Sequence, residues 1–140
     1  MIEQKAGKSI PEIFQQAGEV TFRELEIEAT KEIAQGRNLV IACGGGLVLN
    51  KINIDRLRQG SIIVYLTASP KVILKRTSGD GGKRPLLNVA DQAAEIRELL
   101  EFRKPFYEQA ADIQIDNSEL TISSVAEKII SRLKENESLN

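Results

Sequence analysis

The sequence contains no histidine, so Ser-His-Asp and Cys-His nucleophilic mechanisms, imidazole general bases and histidine-ligated metals are excluded for these 140 residues. A single cysteine, Cys43, can form neither an internal disulfide nor a cysteine-rich zinc site. This usage fits a reducing compartment, and we expect a cytoplasmic protein. Tryptophan is absent and aromatics make up 4%, which leaves aliphatic side chains to build the core. No apolar run approaches the ~20 residues of a membrane span, and the opening MIEQKAGK lacks the apolar stretch of a secretory signal. Nor is there an excess of either charge. With 19 basic and 20 acidic side chains the net charge is −1, which gives no electrostatic case for nucleic acid or an anionic membrane. The length suits one domain spanning residues 1–140.

What is present is a helix–strand pattern. Ser9-Ile10-Pro11-Glu12 is a capping box with proline in the first turn, and it predicts a short helix to about Gln16. Thr21-Phe22-Arg23-Glu24 repeats the signal and opens a longer helix. Along it Phe22, Leu25, Ala29, Ile33 and Ala34 recur near helical spacing, and Gly36 should stop it. The apolar runs 39–43 and 61–66 have the character of strands buried on both faces, and 112–116 alternates like a strand. Helices are expected near 51–59, 70–77, 90–108 and 121–135, with a polar loop at about 78–91 and fraying over 135–140. Alternating strands and helices predict an α/β domain with a mainly parallel sheet.

Gly7-Lys8-Ser9 invites comparison with a phosphate loop, but G-x-x-x-x-G-K-[ST] would need glycine at position 2, where Ile2 stands; a helix start is the better reading. Gly44-Gly45-Gly46 follows an expected strand. Bare backbone at such a point lets a ligand approach N–H groups closely, although a plain tight turn explains the triplet equally well. Arg23, Arg76, Arg84 and Arg103 carry forks that suit carboxylates and phosphates, while each taken singly also fits a solvated charge. Lys83-Arg84-Pro85 could bring a cation over transferring phosphates. Pro105 inside a helical run costs about 3 kcal/mol and implies a kink under tertiary demand. Cys43 reads as a small buried core residue.

In series, AGKSIPEIFQQAGEVTFRELE (6–26), VIACGGGLV (40–48), IIVYLTASP (62–70), KRPLL (83–87) and RKPFYEQAAD (103–112) resemble the shikimate kinase family of P-loop enzymes. That family phosphorylates the 3-hydroxyl of shikimate with MgATP on the way to aromatic amino acids. The resemblance implies a three-layer parallel sheet of P-loop kinase type, of which about three strands lie in these residues. It makes Arg23 and Arg103 the arginines that grip the shikimate carboxylate, and Glu26 the carboxylate that orients Arg23. Gly44, Gly45 and Gly46 become the turn facing the shikimate ring, with Gly45 as the donor. Arg84 would be the catalytic lid arginine on the ATP phosphates, and Arg76, with Asn117 and Ser118, would border the adenine.

The family pattern also includes a first strand, a Walker A loop with its helix, and a second strand ending in an acidic pair. None of these occurs in the 140 residues, and with them go the phosphate-binding lysine, the Mg²⁺-binding hydroxyl and the substrate-facing aspartate. No metal ligand is therefore assigned, and we expect these residues alone to be inactive as a kinase. The first strand of the family lies between the counterparts of 39–43 and 61–66. Those two strands should either close on each other, be covered by a complementing segment or oligomer, or leave the chain marginally folded. Two other functions fit the same residues: a non-catalytic shikimate- or partner-binding module, and a small-molecule kinase of gluconate type.

Overall fold

The structure is a computed structural model that describes residues 1–77 and 92–139. The loop expected at 78–91, with Arg84, lies outside the described residues. The described residues form two compact units, 1–61 and 62–77 with 92–139.

The first unit is helical. Helix α1 (Ile2–Ala6) ends at Gly7, whose φ of 68° is left-handed and whose N–H reaches Glu3 O at 2.9 Å. Ser9 then caps α2 (Ile10–Ile33): its Oγ accepts from Glu12 N at 3.3 Å and donates to Glu12 Oε1 at 3.0 Å. Gly7-Lys8-Ser9 is thus a corner between two helices, as the capping signals predicted. The two helices expected over 9–16 and 21–36 are both present within this span, separated by the non-helical Gly18 (φ 84°, ψ 172°). Helical geometry resumes directly past Gly18, so Thr21 lies inside α2 and not at a helix start. α2 buries Ile13, Phe22 and Ala29, and the rings of Phe14 and Phe22 meet at a tilt of 36° with centroids 4.8 Å apart. A single 3-10 turn, Leu47–Leu49, leads into α3 (Lys51–Arg58), which packs on α2 and buries Leu57.

The strand expected at 39–43 does not form. Leu39 is half exposed and Val40 fully so at 103%. Apolar content alone does not make a strand; its backbone groups need a neighbouring ladder, and the sheet of the described residues has two strands instead of three.

Those strands, β1 (Val64–Thr67) and β2 (Ile113–Asp116), belong to the second unit and run parallel, with Val64 opposite Ile113 and Thr67 opposite Asp116. The pairing is extended at both ends. Ile63 O accepts from Asp112 N at 2.8 Å, Asp112 Oδ2 accepts from Ile63 N at 2.8 Å, and Thr67 O accepts from Asn117 N at 2.8 Å. Parallel strands need a long crossover, supplied here by α4 (Pro70–Thr77) and α5 (Gln92–Ala110), which pack on each other. Ile113 and Ile115 point inward from β2 and join Ile96 and Ala110 of α5 among the buried residues. α5 is helical on both sides of Pro105. α6 (Ile122–Leu139) packs on β2 and runs past residue 135, where fraying was expected. Among the described residues no helix is long and apolar enough to cross a membrane.

Candidate functional site

Glu19, Arg23 and Glu26 share one face of α2 because their spacings are four and three residues. Arg23 Nη2 lies 3.3 Å from Glu19 Oε1 and Nη1 lies 3.1 Å from Glu26 Oε1. The two acids are not equivalent. The Glu26 side chain is 6% exposed and that of Glu19 53%, so one partner is locked in and the other faces water. The Phe22 ring lies 5.2 Å from the guanidinium carbon, a further attraction for the cation. Arg23 itself is 15% exposed.

The glycine turn lies against this cluster. A Cβ built on Gly46 would overlap the Arg23 guanidinium, and one on Gly44 would come within 3.8 Å of Glu26 Oε2. Gly46 has φ −91°, which any residue tolerates, so glycine is required there for closeness of approach and not for backbone conformation. The turn carries its own bonds, Leu47 N to Gly44 O at 3.3 Å and Leu49 N to Gly46 O at 3.1 Å. Asn53 of α3, wholly buried, donates from Nδ2 to Leu47 O at 3.1 Å. Cys43 is exposed as a residue, contrary to the expectation of a core position, yet packing around its sulfur and then the negative charge of Glu26 push its thiol pKa up. Such a thiol is a poor nucleophile at neutral pH.

Within the second unit Arg76 of α4 binds the turn after β2, with Nη1 2.7 Å from Asn117 Oδ1 and Nη2 3.0 Å from Asn117 O. Ser118 Oγ accepts from Ser69 N at 2.9 Å at the start of α4, and Asp116 Oδ1 accepts from Ser118 N at 2.9 Å. That backbone bond, followed by one from the Ser118 side chain, holds the Asp116 carboxyl below its ordinary pKa. Arg103 of α5 is 8% exposed, and its buried Nε has no hydrogen-bond partner. A desolvated donor left unpaired costs stability unless an acceptor reaches it, so Arg103 is suited to an anion.

Arg23, Glu26, Gly44 and Gly46 are therefore brought together in one unit, with Gly45 between the two glycines. Arg76 and Ser118 meet at one turn of the other, and Arg103 is buried there. Sequence reasoning missed Glu19 and Asn53. The four-residue spacing of Glu19 from Arg23 could have revealed the first; nothing in the sequence marks Asn53. Among the described residues there is no group of three or more Cys, Asp or Glu side chains that could hold a metal ion.

A buried guanidinium against a glycine turn suits a small organic acid, and comparison with known proteins points the same way. A family model described as shikimate kinase matches residues 1–134. A shikimate kinase of Caldanaerobacter subterraneus is 48% identical over 93% of this chain and 75% of its own length. That of Bordetella pertussis is 38% identical over 95% of this chain and 63% of its own. Among solved structures, the shikimate kinase from Acinetobacter baumannii in complex with shikimate superposes with a TM-score of 0.92 at 36% identity, over 96% of this chain and 75% of that one. The enzyme from Aquifex aeolicus gives a TM-score of 0.80 at 34% identity. With the model spanning nearly all its residues and relatives this similar, the chain belongs to the shikimate kinase family.

Proposed function

We propose that this chain forms the shikimate-binding side of a kinase that transfers the γ-phosphoryl group of ATP to the 3-hydroxyl of shikimate. The observation that carries the reading is the Arg23 guanidinium, 15% exposed, packed against Gly46 and tied to the buried Glu26. Glu26 fixes one edge of the fork. The other edge is held only by the solvent-facing Glu19, which a substrate carboxylate can replace. Arg103, with its unpaired buried Nε, is the second arginine we assign to the carboxylate. Gly44, Gly45 and Gly46 present backbone to the ring, with Gly45 as the donor. Arg76 and Ser118, at the Asn117 turn, border the adenine in this reading, and Arg84 is assigned to the ATP phosphates.

The residues described here bind and orient; they do not supply the phosphate-handling groups. G-x-x-x-x-G-K-[ST] does not occur in the 140 residues. These residues assayed by themselves are accordingly expected to bind shikimate without turning over ATP. Calorimetric titration with shikimate, paired with a coupled ADP-release assay, tests this. Arg23→Ala should weaken binding by about 2–5 kcal/mol, the usual loss for truncating a desolvated charge contact. Addition of a strand–loop–helix peptide carrying a Walker A sequence should restore turnover. Binding without restored turnover favours a non-catalytic module, and failure to bind shikimate at all would defeat the proposal.

A further inference from the structure

Asn53 is, among the described residues, the most completely buried side chain, at 0% exposure, and the proposed function does not use it. Its Nδ2 donates to Leu47 O at 3.1 Å, while Oδ1 is buried with no hydrogen-bond partner. The orphaned oxygen costs stability that a leucine at this position would not. Retaining an amide there makes sense if the other end of the side chain is needed. That end holds the carbonyl of the residue directly after Gly46.

The connections around it define the consequence. α3 packs on α2, which carries Arg23 and Glu26. From α3, Asn53 reaches across to Leu47, the first residue of the 3-10 turn that leaves the glycine triplet. The glycines have no side chains with which to fix their own position, and the backbone bonds Leu47 N to Gly44 O, Leu49 N to Gly46 O and Asn50 N to Leu47 O are all local to the turn. Asn53 thus ties this turn, through a buried side chain, to the helical layer bearing Arg23. We propose that Asn53 is a positioning residue for the organic-acid site: it sets the spacing between the Gly44–Gly46 backbone and the Arg23 guanidinium, and thereby the affinity for shikimate. This rests on the reading of the site given above.

Leucine reaches as far as asparagine but cannot donate to Leu47 O, and it removes the orphaned oxygen, so Asn53→Leu forms the test. Shikimate affinity by calorimetry, thermal midpoint and amide exchange at Leu47 and Leu49 are measured on the variant and the unaltered chain. The expected result is a thermal midpoint near native, at least a tenfold loss of affinity, and faster exchange at Leu47 and Leu49 with α2 amides unchanged. Native affinity and native exchange in Asn53→Leu would overturn the inference, whatever its thermal midpoint. If Asn53→Leu does not fold, Asn53→Ala replaces it, and the same comparison decides. Absence of shikimate binding by the unaltered chain would instead overturn the reading of the site, and this inference with it.

Discussion

Arg23 shows how one side chain is prepared for a ligand. A lone exposed arginine is a flexible, hydrated cation whose ion pairs contribute little. Here the Glu26 carboxylate, the Phe22 ring and the bare Gly46 backbone surround it, so the fork has little freedom left to lose when an anion arrives. Gly46→Ala tests the arrangement. Its φ of −91° suits alanine, so the fold should survive with a thermal midpoint close to native. The added methyl would take the place of the guanidinium, and shikimate affinity should fall about tenfold, or about 1.4 kcal/mol. Unchanged affinity by calorimetry would mean that Arg23 is free to move aside.

At the scale of the element, the start of α2 was written plainly in the sequence and the buried polar residues were not. Ser9 and Glu12 form the capping box that their spacing announces, because such a cap depends on four consecutive residues. Residues 39–43 failed for the opposite reason: a strand depends on a neighbour that its own residues do not specify. The buried face of α2 contains Glu26 and Thr30 beside Phe22 and Ala29. A count of apolar periodicity passes over such positions, since what makes their burial affordable is a partner such as Arg23 or, for the Thr30 hydroxyl, the Glu26 carbonyl at 2.8 Å. Arg23, Glu26 and the glycine triplet were legible only because family-like motifs stood around them. Gly18 gives the element-scale prediction. At φ 84° and ψ 172° it occupies a region essentially closed to other residues, so Gly18→Ala should destabilise the chain by about 1–3 kcal/mol in denaturant titration. Gly60 has no positive φ and open space where a Cβ would go. Gly60→Ala should be neutral or stabilising by up to about 1 kcal/mol. Equal losses in both variants would show that the bend carries no special demand.

The whole molecule combines a well-tied binding cluster with an apolar segment that no ladder secures. Val40 is fully exposed and Leu39 half so, beside backbone that forms no strand. A net charge of −1 supplies almost no long-range repulsion between copies. Extended apolar backbone without a partner is a template for pairing with another chain. Val40→Lys should raise the protein concentration at which static light scattering departs from linearity, with shikimate affinity unchanged; an identical onset would clear the segment of this role. For anyone handling the protein, residues 39–43 then behave as a sticky end. Storage concentration then becomes a condition that limits how long a sample stays usable.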